Sequence, residues 1–134
     1  MISRQGMRKG VNMGTWGSGN LDSDGALDYR DAWSEKMVFR MLEILKSDKS
    51  WEDDKYHELF MLVEWSLALR EKDIFGGYSL PPSEELNSLF QTWLAHWDVY
   101  CLGLAGPGFK AERLAVIEKS FEQLMQIAKQ NDED

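Results

Sequence analysis

The side chains best suited to chemistry form a twelve-residue acidic run near the start of the chain, Asn20–Asp31. Aligned with an EF-hand calcium loop, this run puts oxygen-bearing side chains at five ligand positions: Asn20, Asp22, Asp24, Asp28 and Asp31. Gly25 occupies the turn position. However, Asn replaces the usual first Asp, Asp replaces the usual final Glu, and no helix precedes the run. We therefore expect no tight metal site and keep calcium binding as the alternative.

A second interpretation of the same run is the acidic start of a helix. Asp22, Ser23 and Asp24 all have side chains that can cap a helix N-terminus, where negative charge is also favourable. Asp28 and Asp31 would then lie in solvent on the first turns. This interpretation needs no bound ion.

Histidine and cysteine offer little for catalysis in this sequence. His57, His96 and Cys101 are the only residues of these two types. His96 and Cys101 are five positions apart, which does not bring them to one helix face as a spacing of three or four would. These spacings also do not match a zinc site. We therefore predict that the chain is not an enzyme and binds no cofactor.

Tryptophan is abundant, and two of the six tryptophans are predicted to be exposed. Trp51 lies beside the acidic run Glu52, Asp53 and Asp54, and Trp65 lies off the apolar stripe of its predicted helix. Tryptophan is enriched among the residues that dominate protein interfaces. We predict that these five residues bind a partner. The alternative for Trp51 and its neighbours is a capped, solvated helix start.

The charge of the chain favours a basic protein partner. The formal net charge is -8, and residues 1–12 carry +3, so the remainder carries -11. An acidic body repels phosphate backbones, which disfavours nucleic acid. No apolar run approaches the roughly 20 residues of a membrane span. One cysteine and no apolar segment after the basic N-terminus predict a cytoplasmic location.

Apolar periodicity predicts an all-α domain, a small bundle of four to five amphipathic helices. The predicted helices cover residues 23–45, 53–70, 83–102 and 110–130, and a break at Ser34 would divide the first into two. Tyr29 and Trp33 are assigned to an apolar stripe of the first helix. Ser83 is expected to cap the third helix, and the Gly- and Pro-rich run 76–82 to end the second. Residues 131–134 are predicted to be a solvated acidic tail.

Residues 1–12 lack periodicity and are predicted to be a disordered extension, followed by a single helical domain over 13–134. Met1, Met7 and Met13 are all possible translation starts. The sequence leaves the oligomeric state open.

Two stretches resemble a bacterial family catalogued as domain of unknown function 4259. The first is MGTWGSGNLDSDGALDYRDAW, residues 13–33, which combines a Met-Gly-Thr-Trp-Gly start with an acidic loop leading into a helix. The second is the pair Trp97-Asp98 with the downstream Lys-Ala-Glu-Arg stretch, residues 110–113. The resemblance implies that Met13 corresponds to the family's usual start and implies no activity.

Taken together, these features predict a non-catalytic protein-binding module, of an immunity-type or defence-associated kind, that binds a basic partner. The alternative is a small-molecule- or calcium-binding domain, or an enzyme, that uses the acidic loop 20–31. Calcium titration separates the two.

Overall fold

The computed structural model describes residues 17–47, 55–100 and 107–133. Within these ranges the chain forms four α-helices and no strand: α1 (Asp24–Lys46), α2 (Lys55–Glu71), α3 (Ser83–Tyr100) and α4 (Pro107–Glu133). A 3-10 turn, Gly77–Ser79, precedes α3. The all-α prediction is confirmed. No helix in the described ranges is long and apolar enough to cross a membrane.

The chain divides into two compact units, Met1–Trp33 and Ser34–Asp134. In the described part of the first, Ser23 caps α1: its carbonyl accepts the Leu27 N–H at 3.1 Å and its hydroxyl accepts the Ala26 N–H at 3.1 Å. The Asp22 carboxylate instead accepts the Gly19 N–H at 2.8 Å. A Cβ on Gly19 would lie 2.7 Å from Asp22 Oδ2, so a side chain at this position would displace the Asp22 carboxylate from the Gly19 N–H.

Helix α1 continues through Ser34, so the predicted break there is wrong. The assignment of Tyr29 and Trp33 to a buried stripe is also wrong, because these side chains are 73% and 62% exposed. Helical phase explains the error. The buried positions Ser34, Val38, Met41 and Leu45 are three or four residues apart. The same line continues backward through the half-buried Arg30 and Leu27, and it misses Tyr29 and Trp33.

Helix α2 ends before the glycines and prolines that were expected to stop it. The Asp73 N–H donates to the Arg70 carbonyl and the Ile74 N–H donates to the Leu69 carbonyl, both at 2.9 Å. Asp73 has a φ of 60°. These features are those of a Schellman motif with Asp in the left-handed position that glycine usually occupies. Local hydrogen bonding therefore ends α2.

Helix α4 is longer than the sequence predicted at both ends. It begins at Pro107, because proline suits the first helical turn, where its missing N–H is not needed. It ends at Glu133, so the described part of the predicted solvated tail is helical. Asn131 Nδ2 donates to the Gly77 carbonyl at 2.8 Å.

The N-terminus of α3 is fixed by α4 rather than by its own first residue. Asp132 Oδ2 accepts the Ser83 N–H at 3.1 Å and the Ser83 hydroxyl at 2.6 Å. The first hydrogen bond of this helix runs from the Leu86 N–H to the Pro82 carbonyl, at 3.0 Å, so Pro82 holds the N-cap position. Ser83 is thus the first helical residue and not the predicted N-cap. Its hydroxyl links α3 to α4.

An aromatic cluster holds α2, α3 and α4 together. The rings of Phe90 and Phe121 stack with centroids 4.1 Å apart, and Trp93 meets Phe121 edge-on at 5.9 Å. Phe60 of α2 meets Trp93 edge-on at 5.5 Å. The buried core also includes Val38, Met41 and Ile44 of α1 and Leu59, Leu62 and Val63 of α2. The sequence therefore buries one face of each helix and positions α2 beside α4.

Candidate functional site

Large apolar side chains are exposed along the outward side of α2. Trp65 is 55% exposed and Met61 is 41% exposed, one helical turn apart. His57 and Ala68 continue this row at helical spacing and are also exposed. We call the row His57, Met61, Trp65 and Ala68 the α2 face.

The opposite side of the same helix explains this exposure. The buried residues of α2 are Leu59, Leu62, Val63 and Ser66. They anchor the helix to the core, and the 3.6-residue period then directs Met61 and Trp65 away from it. The predicted exposure of Trp65 is confirmed.

A small apolar cleft lies between α2 and α4. Its volume is about 130 Å³, and its lining includes Phe60, Val63, Val116 and Ile117. Val63 and Ile117 are buried, whereas Val116 is 53% exposed at the rim. We call this space the α2–α4 cleft. Glu64, one turn after Met61, belongs to its lining, so the cleft adjoins the α2 face.

Charged side chains lie at both ends of the α2–α4 cleft. The Arg113 guanidinium lies over the Phe60 ring, 4.5 Å from its centroid. Towards the other end, the Ser120 hydroxyl lies 3.0 Å from Glu64 Oε2. Beyond it, the Arg70 guanidinium hydrogen-bonds the Gln130 side chain. These three contacts follow the same order along both helices, so α2 and α4 run side by side in the same direction.

An ion-pair network flanks the α2 face on the side of α1. Arg40 donates two hydrogen bonds to Glu58, at 2.7 Å from Nε and 2.6 Å from Nη2, and a third to Glu43 at 2.7 Å. These bonds from Arg40 lower the pKa of Glu58, against a smaller opposing effect of burial. The same contacts, that with Glu58 first, raise the pKa of Arg40. The network connects α1 to α2 by hydrogen bonds.

The five residues of the possible calcium loop are not gathered around one point. Asp24, Asp28 and Asp31 lie along α1, which rises about 1.5 Å per residue and so spreads them over more than 10 Å. Asp22 bonds the Gly19 N–H, and Asp31 pairs with Arg30 at 2.7 Å. No group of three or more His, Cys, Asp and Glu side chains in the described ranges could hold a metal ion.

The other sequence-predicted residues divide into two sets. Trp51, Glu52, Asp53 and Asp54 lie outside the described residues, as do Cys101 and the predicted extension 1–12. His57 and His96 are both exposed, on α2 and α3 respectively. The pairing of Trp51 with Trp65 in one binding surface therefore stays a prediction.

Sequence reasoning missed Met61, Glu64 and Val116, which border the α2 face and the α2–α4 cleft. Met61 could have been found, because it lies one turn from Trp65 and off the Leu59/Val63 stripe. Val116 could not, because its relation to α2 depends on how the two helices pack.

Structural contacts account for several residues of the sequence resemblance. Trp97 is buried, and Asp98 pairs with Lys110 at 3.1 Å across α3 and α4. Comparison of the chain with family models, curated proteins and solved structures finds no match.

Proposed function

We propose that this chain is a non-catalytic protein-binding module that recognises a basic partner through the α2 face. The observation that carries the proposal is the exposure of Trp65 and Met61 one turn apart, beside the apolar α2–α4 cleft. A tryptophan that is half exposed in the free protein gains much contact area when a partner covers it. Such residues commonly dominate the binding energy of an interface.

The charge of the chain supports a basic partner. The net charge of -8 attracts a positively charged surface over long range and raises the association rate at low salt. Glu64 is exposed between the α2 face and the α2–α4 cleft, so one carboxylate lies where the partner would dock. In this mechanism, charge brings the two proteins together and burial of Trp65 and Met61 holds them.

An immunity-type or defence-associated role is a more specific form of the same proposal. There, the basic partner is a protein whose activity is blocked when the α2 face covers it. Loss of that inhibition in a Trp65 variant would identify this role among the possible consequences of binding.

The test is a comparison of Trp65→Ala with Tyr78→Ala. Tyr78 is 75% exposed and lies in the 3-10 turn, so it is a matched exposed aromatic away from the α2 face. Partners are captured on the wild-type protein and on both variants and compared by quantitative mass spectrometry. We expect Trp65→Ala to weaken the specific partner by about 2 kcal/mol or more. Tyr78→Ala should retain it.

Two further measurements complete this test. Trp65→Ala should lose less than about 2 kcal/mol of unfolding free energy and stay folded, because the side chain is 55% exposed and only part of its surface packs on the fold. The association rate should fall as salt screens charges beyond about 8–10 Å. A partner bound equally well by Trp65→Ala, or turnover of a substrate by the pure protein, would refute the proposal.

A further inference from the structure

The dimensions of the α2–α4 cleft suit one apolar side chain. Its volume of about 130 Å³ is close to that of the engineered apolar cavity of ~150 Å³ that binds benzene. It is smaller than the roughly 300–1,000 Å³ typical of sites that enclose a small molecule. Its apolar lining combines the buried Val63, Ile117 and Phe121 with the half-buried Phe60 and the exposed Val116. A lining of this kind suits an aliphatic group of leucine size.

The rim of the α2–α4 cleft adds a charge preference. Glu64 Oε2 accepts the Ser120 hydroxyl at 3.0 Å, and Glu64 Oε1 has no hydrogen-bond partner among the described residues. Glu64 is exposed, so a cation that arrives from solvent can reach this oxygen. An exposed lysine or arginine beside the apolar group would therefore gain an ion pair at the Glu64 end of the rim, whereas Arg113 at the Phe60 end would repel it.

We propose that the α2–α4 cleft is the specificity pocket of the partner-binding surface, and that it receives one aliphatic side chain of the partner with a lysine or arginine one helical turn away, placed against Glu64. This inference rests on the proposed function. Charge complementarity selects the occupant, since a chain of net charge -8 disfavours a second copy of itself. The open rim at Val116 admits a side chain that remains attached to a protein.

The probe is an alanine-based helical peptide that carries one leucine and, one turn away, one lysine. Binding to the full chain is followed by shifts of the amide signals in nuclear magnetic resonance spectra. We expect saturable binding, with the largest shifts at Val63, Glu64, Val116, Ile117 and Ser120. Replacing the peptide's leucine with alanine should weaken binding at least about tenfold, because the apolar contact is lost.

Variants of the chain test the geometry. Val116→Phe places a ring at the mouth of the cleft and should weaken the peptide at least about tenfold. Ala115→Phe is the matched control, because this exposed neighbour does not line the cleft and should leave binding unchanged. Thermal unfolding of both variants verifies that they are folded.

The charge at the rim is tested with Glu64→Gln, which should weaken binding of the peptide about threefold and make its affinity less dependent on salt. Glu112→Gln removes an exposed carboxylate of α4 outside the cleft and should change neither. Isopentylamine presents the same aliphatic group and cation without a peptide. Binding of isopentylamine without binding of the leucine peptide would mean a small-molecule site and would overturn the inference.

Failure of this inference is distinguishable from failure of the proposed function. If neither Val116→Phe nor the leucine-to-alanine exchange changes the affinity of the peptide, the specificity pocket is refuted, even where Trp65→Ala still abolishes partner binding. Conversely, if Trp65→Ala leaves the affinity for the partner unchanged, the function assigned to the α2 face is refuted, whether or not the peptide binds.

Discussion

In the connection between α2 and α3, polar side chains of α1 and α4 are used to hold the backbone, whereas along the α2 face large apolar side chains are left in solvent. Ser34 accepts the Gly76 N–H at 2.9 Å, and Asn131 binds the Gly77 carbonyl. Met61 and Trp65, by contrast, have much of their surface uncovered. Polar residues therefore stabilise the fold in one region, and apolar residues are available for binding in the other.

This contrast teaches that residue type alone does not separate structural from functional positions. A buried serine is costly unless its hydroxyl is bonded, so Ser34 is explained by the bond it makes. Trp65 is more than half exposed, and no hydrogen bond or ring contact within the described ranges explains its position. The informative exceptions in a small domain are buried polar groups, such as Ser34, and exposed large apolar groups, such as Trp65.

The largest effect on this comparison is expected from Ser34→Ala. Its hydroxyl is the acceptor for the buried Gly76 N–H, so its removal leaves that N–H unsatisfied. We expect a loss of about 1–3 kcal/mol in the free energy of unfolding, measured in urea. Ser66→Ala is the matched control, since Ser66 is equally buried but bonds only the Leu62 carbonyl of its own helix.

Ser66→Ala should cost less than about 1 kcal/mol, because the Leu62 carbonyl keeps its helical hydrogen bond. Equal losses in the two variants would show that the connection between α2 and α3 gains nothing special from Ser34. The Asn131 side chain of α4 would then be the remaining polar contact that stabilises the backbone of this connection among those described above.

A smaller effect is expected where α4 meets α3. Asp132→Ala removes the acceptor of two Ser83 hydrogen bonds at an exposed position and should cost about 1 kcal/mol. Glu133→Ala, at the next position, should stay within about 0.5 kcal/mol. A double-mutant cycle with Ser83→Ala measures the coupling directly. Absence of coupling would show that the hydrogen bonds between Asp132 and Ser83 add nothing to stability and that Asp132 is simply solvated at the end of α4.

The sequence predicted the helices better than it predicted their ends. Apolar periodicity identified α2, α3 and α4 and most of their buried residues, because burial repeats with the helical period. It could not predict that Asp132 would contact Ser83, since residues 49 positions apart meet only through tertiary packing. It also missed the αL turn at Asp73, because glycines and prolines nearby offered a more obvious helix end.

For the candidate site, the sequence predicted one exposed anchor and not the surface around it. Trp65 was identified because it departs from the Leu59/Val63 stripe, which is a property of one helix. The α2–α4 cleft depends on the packing of Val116 against α2, which no single-helix pattern contains. The error at Trp33 arose because Tyr29 and Trp33 were assigned to a separate apolar stripe before a break at Ser34, whereas the buried line of the continuous helix runs through Leu27, Arg30 and Ser34.

The smallest effect is expected at the edge of the α2 face, from Glu58→Gln. Glu58 and Arg40 are each more than one-third exposed, so their paired hydrogen bonds should contribute only about 0.5–1 kcal/mol at pH 7. Because Arg40 lowers the pKa of folded Glu58, this stability is present above the ordinary glutamate pKa of about 4.3. It is lost as the pH falls below that value through the lowered pKa, when the carboxylate becomes protonated.

The difference in unfolding free energy between wild type and Glu58→Gln should therefore shrink below about pH 4. Glu85→Gln is the control for removing an exposed carboxylate that lies on α3 and makes no bond to Arg40. A Glu58→Gln difference that persists unchanged into acid would show that packing, and not the charge of Glu58, connects α1 to the edge of the α2 face.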